Sequence, residues 1–564
     1  MLINGKFTSD SKMVANSFNQ YFTSVAQKLV EKMEPATKDF KDFLVNSNLN
    51  SIFLDPVTPE EVNDIIANLD ESKSNDSYNV PIRLIKLARY TISEPFSTIA
   101  NSSFLEGVFP DKLKFAKVTP IYKSKSKLEC GNYRPISILP IFSKILEKLM
   151  NSRLVKFLGI NDIIYKHQYG FQENKSTSLA ILELQSQLIN NIEKGLFSCC
   201  IFLDFSKAFD TVNHNILLKK LEHYGIRGLA LSWFKSYLTE RKQVVIANGE
   251  TSSEQEIRCG VPQGSVLGPL LFLLYINDIY NSSKELDFRL FADDTSILFA
   301  DKNLDVIERL VNSQLEKVSE WLLANGLSLN VSKSNFLVIS PKKVEKTINI
   351  SINNEKLRQE NYTKYLGIII DEKLNWKQHI KQVNIKISKG IGILYKLRHF
   401  VPKNTLRMLY SSFIQSHALY GILNWGCASK SILEPLKRNL RKAIRVADFA
   451  AYTAHSEPIF KRLNLLNFDK LYKLETAKFV FQISKETSYT NLGHEFIKTK
   501  SLHCYNTRQS SNLGFSLQAI STKFKRNFLT FEGIKLWNSL PLDLKEAKNK
   551  ISFKNKMKYH LLEN

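Results

Sequence analysis

Two adjacent carboxylates, Asp293 and Asp294, stand between apolar runs: Leu286, Phe288, Leu290, Phe291 and Ala292 before them, and Ile297, Leu298, Phe299 and Ala300 after. That pattern predicts a β-hairpin with the carboxylates at its tip. Two like charges on one tight turn repel each other unless a cation lies between them; the plainer alternative is an ordinary polar turn, where Asp is common. A third carboxylate, Asp204, ends the apolar run Cys199, Cys200, Ile201, Phe202 and Leu203. Such a run predicts a buried strand whose end lies at the rim of the core. Three hard oxygen donors from two strands suit Mg²⁺, which keeps its other positions for water and substrate phosphate. Two such ions, about 3.5–4 Å apart, clamp the attacking and leaving oxygens in phosphoryl transfer. The alternative for Asp204 is a cap for the helix predicted over 213–225, a task for which Asp210 is better placed.

Other elements must position these carboxylates. Gly260-Val261-Pro262-Gln263-Gly264-Ser265-Val266-Leu267-Gly268-Pro269 holds three glycines and two prolines in ten residues. This predicts a constrained loop leading into an apolar helix over 270–276. Its place between the two acidic strands favours a substrate-facing role over mere punctuation.

In order along the chain, these stretches resemble the motifs of reverse transcriptases. Leu203-Asp204-Phe205-Ser206-Lys207-Ala208-Phe209-Asp210 resembles motif A, Gly260-Val261-Pro262-Gln263-Gly264-Ser265 motif B, and Phe291-Ala292-Asp293-Asp294 motif C. The form is that of non-LTR (LINE-type) retrotransposons, near the jockey-like elements. Val118-Thr119-Pro120-Ile121-Tyr122-Lys123, Asn132-Tyr133-Arg134-Pro135-Ile136-Ser137 and Gln168-Tyr169-Gly170-Phe171 with Ser176-Thr177 resemble further family stretches. The region 327–339 around Lys333 resembles motif D, Tyr365-Leu366-Gly367 resembles motif E, and Trp537-Asn538-Ser539-Leu540-Pro541 resembles a family segment near the C-terminus.

The resemblance implies an α+β, right-hand polymerase of fingers, palm and thumb with helical N-terminal and C-terminal extensions. The extension would occupy 1–103, fingers and palm 104–371, a helical thumb 372–450, and a basic C-terminal region 451–564. It implies RNA-directed DNA polymerisation: two-metal transfer of a nucleotide from a dNTP to a primer 3′-hydroxyl on an RNA template. Asp204, Asp293 and Asp294 would hold two Mg²⁺ ions, with Mn²⁺ as the alternative and the Phe205 carbonyl completing one shell. Lys123 and Arg134 would grip the triphosphate, and Gln263 would lie against the template–primer pair. Phe209 would block a 2′-hydroxyl, or serve only as core. Lys333 would protonate departing pyrophosphate, or only neutralise charge. Implied partners are RNA template, DNA primer, dNTPs and the element's own RNA, with a nuclear location. The family usually places an apurinic-type endonuclease ahead of the polymerase, so a fragment or truncated element is expected. Rival readings are an intron-type maturase, a viral RNA-dependent RNA polymerase, and a catalytically silent nucleic-acid-binding remnant.

Composition agrees with a polyanion partner. Net charge is +24, of which +11 lies in residues 371–450 and +8 in 491–564. Trp376, Tyr395, Phe400 and Tyr410 interleave with that charge, as nucleic-acid-binding surfaces do. The six cysteines form no CxxC pair, which predicts a reducing compartment and no structural zinc, His503-Cys504 being the lone hint of a metal pair. The N-terminus lacks a signal peptide's apolar stretch, and no run approaches the ~20 apolar residues of a membrane span. Val14, Phe18, Tyr21, Phe22, Val25 and Leu29 fall on one helical face. Thr58-Pro59-Glu60-Glu61 reads as a capping box. Helices are predicted over 81–90, over 376–442 with breaks at Gly390, Gly392 and Pro402, and through the pattern at 463–479.

Overall fold

The computed structural model describes residues 1–3, 6–72, 74–340, 342, 346–486, 490–502 and 513–563. Helix α1 (Ser11–Val30) starts at Asp10, whose carboxylate accepts the Met13 N–H at 2.7 Å. Val14, Phe18 and Val25 are buried, while Tyr21, Phe22 and Leu29 are half-buried, as the helical spacing predicts. At α2 (Pro59–Ala67) the expected capping box is half made. Thr58 accepts the Glu61 N–H, but the Glu61 carboxylate turns to the buried Arg153 at 2.9 Å. The helix expected over 81–90 ends at Leu87, and the longer α3 (Arg89–Glu106) begins just beyond it.

Strands β1 (Phe115–Tyr122) and β2 (Tyr133–Ile138) form a hairpin, followed by α4 (Ile141–Ile160) and α5 (Thr177–Glu193). Then come β3 (Phe197–Leu203), α6 (His214–His223), β4 (Arg241–Ala247) and α7 (Gly268–Ile276). The predicted acidic hairpin is β5 (Asp287–Phe291) and β6 (Asp294–Asp301), after which run α8 (Leu304–Ala324), β7 (Asn335–Ile339), β8 (Arg358–Gln359), β9 (Tyr362–Tyr365) and β10 (Ile368–Asp371). The remainder is helical: α9 (Lys377–Leu397), α10 (Lys430–Ala447), α11 (Phe468–Lys485), α12 (Leu529–Ser539) and α13 (Lys550–Glu563) are its long members.

The central sheet runs β8-β7-β3-β6-β5, with β3 antiparallel to both its neighbours; a second, five-stranded sheet contains the run β2-β1-β4, to which the short strands 250–251 and 255–257 add. Alternation along β3 shows what buries the central sheet. Cys199, Ile201 and Leu203 pack into one apolar core with α4, α7 and α8, while Cys200 and Phe202 pack into another with α5 and α9–α13. Helices therefore cover both faces in an α+β architecture, which explains why β3 reads as a continuous apolar run.

The C-terminal segment is bound onto α5 through one helical row. Thr490 donates to Glu183 at 2.7 Å, Ser186 to Glu495 at 2.7 Å, Lys525 to Asn190 at 2.7 Å, and the Ser521 N–H to Glu193 at 2.6 Å. Several expectations for this half change. Gly390 does not break α9: a Cβ there would come within 2.9 Å of Ile414 and the Phe413 carbonyl, so the glycine permits close packing inside an unbroken helix. Gly392 also lies within α9, so of the three expected breaks only Pro402 is one; the chain breaks again at 420–421 and 426–429. Trp376 and Tyr410 are core residues, whereas Tyr395 and Phe400 are 57% and 82% exposed; only the latter two remain available to a nucleic acid. Leu463, Leu465 and Leu466 precede α11 rather than belonging to it. The five described cysteines are free; His503 and Cys504 lie outside the described residues. Among the described residues no helix is long and apolar enough to cross a membrane.

Candidate active site

The β5–β6 turn is as tight as a hairpin allows. Phe291 pairs with Asp294, leaving Ala292 and Asp293 as the turn, with Ala292 in the left-handed region at φ 53°. Register then brings in the third carboxylate. Thr295 pairs with Leu203 in the antiparallel β6–β3 ladder, so Asp294 and Asp204 fall opposite one another one step further on. Directly opposed side chains of this kind have Cβ atoms about 4.5–5.5 Å apart.

Asp204 is braced from a third segment. Its N–H donates to Ser334 Oγ at 3.1 Å, its carbonyl accepts the Asn330 N–H at 2.8 Å, and the Ser206 N–H donates to the Ser328 carbonyl at 2.8 Å. Those bonds flank Phe205, whose ring is buried and which forms an antiparallel bridge with Leu329. The same segment carries Lys333, whose ammonium is 3.2 Å from Asp204 Oδ2. Asp204, Asp294 and Lys333 line one cleft of about 90 Å³.

The electrostatics are those of crowded acids. Burial, then Asp293 and Asp204, push the Asp294 carboxyl up to about 6; burial and Asp204 also raise Asp293. Lys123 opposes the rise at both, and Arg134 at Asp293. Those two cations sit near the exposed tip of the β1–β2 hairpin, where Arg134 pairs with Ile121 and the Lys123 N–H donates to Asn132 at 2.9 Å. Among the described residues no group of three or more His, Cys, Asp and Glu side chains is gathered as a ready ion cage. The three aspartates are electrostatic neighbours rather than a closed ligand shell. Their chemistry suits a hard divalent cation, which would relieve the repulsion that raises Asp293 and Asp294.

The glycine-rich loop packs on the segment after Asp204. The Gly260 N–H donates to the Val212 carbonyl and the Val261 N–H to that of Phe209. A Cβ on Gly264 (φ 131°) would stand 2.4 Å from the Ser137 carbonyl, and the Gln263 carbonyl accepts the Ser137 N–H at 2.8 Å. Gln263 Nε2 donates to Asp210 at 2.8 Å. Asp210 therefore does not cap the next helix; Asn213 does, accepting the Asn215 and Ile216 N–H groups. The half-buried Phe209 ring stacks on Phe272 at 4.3 Å and meets the exposed Phe171 edge-on at 6.2 Å.

Sequence reasoning missed two contributors. Glu147, fully buried on α4, accepts the N–H groups of Val266 (2.7 Å) and Leu267 (3.1 Å) and so fixes the loop ahead of α7. Nothing local in the sequence marks a carboxylate that serves a loop over a hundred residues away. Lys207, at φ 52°, is a third cation close to Lys123 and Arg134; burial, and then those two and Lys333, lower its pKa against the pull of Asp210. Its place within the acidic motif could have flagged it.

Residues 121–370 match the reverse transcriptase (RNA-dependent DNA polymerase) family. The chain is 28% identical over 478 residues to an RNA-directed DNA polymerase from mobile element jockey of Drosophila melanogaster, covering 82% of this chain and 51% of that protein. It is 27% identical over 460 residues to a probable RNA-directed DNA polymerase from transposon BS of the same species, covering 78% and 50%. A retrovirus-related Pol polyprotein from type-1 retrotransposable element R1 of Bradysia coprophila is 24% identical over 376 residues, covering 65% and 37%. The chain thus spans about half the length of the first of these curated relatives.

Proposed function

We propose, from the match of residues 121–370 to the reverse transcriptase family and the similarity to the RNA-directed DNA polymerase of mobile element jockey, that this chain is an RNA-directed DNA polymerase extending a DNA primer on an RNA template. The observation that carries the reading is the register that sets Asp294 opposite Asp204, with Asp293 beside them and Lys123 and Arg134 facing the turn. In this reading the central sheet is the palm, the β1–β2 hairpin belongs to the fingers, 372–450 is the thumb, and 1–103 and 451–564 are extensions.

The reaction joins the primer 3′-oxygen, its hydroxyl proton passing to water, to the dNTP α-phosphorus and breaks the bond to the β-phosphate, releasing pyrophosphate. Asp204, Asp293 and Asp294, with the Phe205 carbonyl, would hold two Mg²⁺ or Mn²⁺ ions, whose contribution is to polarise phosphate oxygens and offset their charge. Lys123 and Arg134 bind the triphosphate, Arg134 by a planar fork suited to two phosphate oxygens. Phe209 presents its ring where a ribose 2′-hydroxyl would enter, and Gln263, anchored on Asp210, backs the template–primer pair. Lys333 delivers a proton to pyrophosphate. The exposed basic faces of α9 and α10 take the duplex backbone. The element's own RNA is the natural template, in the nucleus.

The test is extension of an oligo(dT) primer on poly(rA) with dTTP and Mg²⁺. We expect extension by the wild-type chain and none by Asp293→Asn, which removes a donor at nearly constant volume and leaves template–primer binding nearly intact. Tight binding without extension by the wild type would instead identify a silent nucleic-acid-binding remnant.

A further inference from the structure

A non-glycine residue in the left-handed region needs its neighbours to hold it there. Ala292, which precedes Asp293 and Asp294, is such a residue, and its support comes from a distant segment. The Leu290 N–H donates to the His167 carbonyl at 2.9 Å and the Tyr169 N–H to the Leu290 carbonyl at 2.8 Å, laying residues 167–170 alongside β5. Gly170 then passes so close that a Cβ would stand 2.5 Å from the Ala292 nitrogen. The carboxamide oxygen of Gln168 accepts the N–H groups of both Gly170 (2.9 Å) and Ala292 (3.1 Å). Gln168 is 1% exposed, and its amide nitrogen is buried without a partner. A buried donor left unpaired is unfavourable and calls for an explanation. The oxygen's place under Ala292 supplies one.

This splint is itself anchored. The Tyr169 hydroxyl donates to the buried Glu183 of α5, whose carboxylate also accepts Asn491 Nδ2 at 2.8 Å and Thr490 Oγ1 at 2.7 Å. The C-terminal segment therefore reaches the acidic turn through two side chains.

We propose that Gln168 is a positioning residue for Asp293 and Asp294, its carboxamide oxygen fixing the left-handed Ala292 that aims them, and that Thr490 and Asn491 lock it in place through Glu183 and Tyr169. The inference rests on the polymerase reading for its consequence but on geometry for its substance. The experiment compares the full chain with Gln168→Met, Gln168→Glu and Asn491→Ala. Gln168→Met removes the acceptor at similar volume. We expect it to slow single-turnover incorporation roughly 100-fold, the scale of a misplacement of about 1 Å at a reacting centre. Template–primer affinity and the dNTP half-saturation should not move, while the Mg²⁺ concentration for half-maximal rate should rise. Gln168→Glu keeps both accepting lone pairs and should recover the rate. Asn491→Ala should give a smaller loss of the same kind, and it decides the matter should Gln168→Met fail to fold. Hydrogen exchange of the amides of 290–294 is the second readout, expected to accelerate in Gln168→Met and Asn491→Ala. Wild-type rates with unchanged exchange, or a loss shared equally by Gln168→Glu, would overturn the proposal. Accelerated exchange in a chain whose wild type extends no primer would sink the polymerase reading and leave the positioning role standing.

Discussion

The Lys333 ammonium stands 3.2 Å from Asp204 Oδ2, with both side chains partly open to solvent. An exposed pair of this kind contributes little to stability, so the pair is free to separate when a cation or substrate competes for the carboxylate. Lys333→Met is expected to cut the polymerisation rate about 100-fold, the usual scale for losing a general acid, while lowering the Mg²⁺ concentration needed for half-maximal rate. Lys333→Arg keeps the charge but holds its proton too firmly to donate it. A rate near that of Met assigns proton delivery to Lys333; a rate near wild type assigns charge neutralisation.

Phe209 stacks on Phe272 and meets Phe171 edge-on, so it packs against the core while remaining only half buried. Phe209→Ala is expected to relax the preference for dNTP over rNTP. It should also destabilise the fold by about 2 kcal/mol, less than the roughly 3–5 kcal/mol lost with a fully buried ring, because this one is only half buried. Competing single-nucleotide incorporation and denaturant unfolding measure the two effects separately. An unchanged sugar ratio in a destabilised protein would return Phe209 to packing alone.

Burial on α9 lowers the pKa of His379 to about 4, with Lys386 adding to the effect, and its Nδ1 accepts the Ile369 N–H at 3.3 Å. The unfolded chain, with an ordinary histidine near 6.5, binds this proton more readily than the folded one between those values. The stability contribution is therefore complete above about pH 6.5 and drains away as pH falls toward 4. Urea midpoints should fall across that window in the wild type. They should fall less steeply in His379→Asn, which keeps an acceptor for Ile369 and does not titrate. A parallel pH profile in the two proteins would show that His379 is not a source of the acid sensitivity.

Lys386, Lys389 and Lys396 are exposed along α9. Each phosphate deprived of its lysine should reduce the slope of log affinity against log salt by roughly 0.9 on a B-form duplex. Changing all three to Gln should flatten the slope for an RNA–DNA template–primer without altering the melting temperature. An unchanged slope would move the duplex path off α9. Deleting everything after 375 is no substitute, because α9–α13 share one core with α5 and β3.

Much of the site was legible because its chemistry is local. The acidic hairpin, the strand ending at Asp204 and the glycine-rich loop each announce themselves within ten residues, and the structure builds each where expected. Supporting roles were not legible, since they join segments far apart in sequence. Glu147 has no neighbour that hints at Val266, nor does Gln168 for Ala292. Asp210 shows how a local rule fails: spaced to serve as a cap, it was instead taken by Gln263, and Asn213 capped the helix. Gly390 fails in the opposite sense, since a residue that usually interrupts helices was used for a close helix crossing. Aromatic residues among lysines could not be sorted by sequence into Trp376, which packs inward, and Phe400, which does not.

The row of bonds between α5 and the segment after residue 490 has a consequence for synthesis. Ser186 and Glu495 are 309 positions apart, so α5 cannot complete its packing until the segment after residue 490 has been made. Pairings of such long separation close late and slowly. A chain that stops before residue 490 would contain the stretches that resemble motifs A to E and still expose the acidic row of α5.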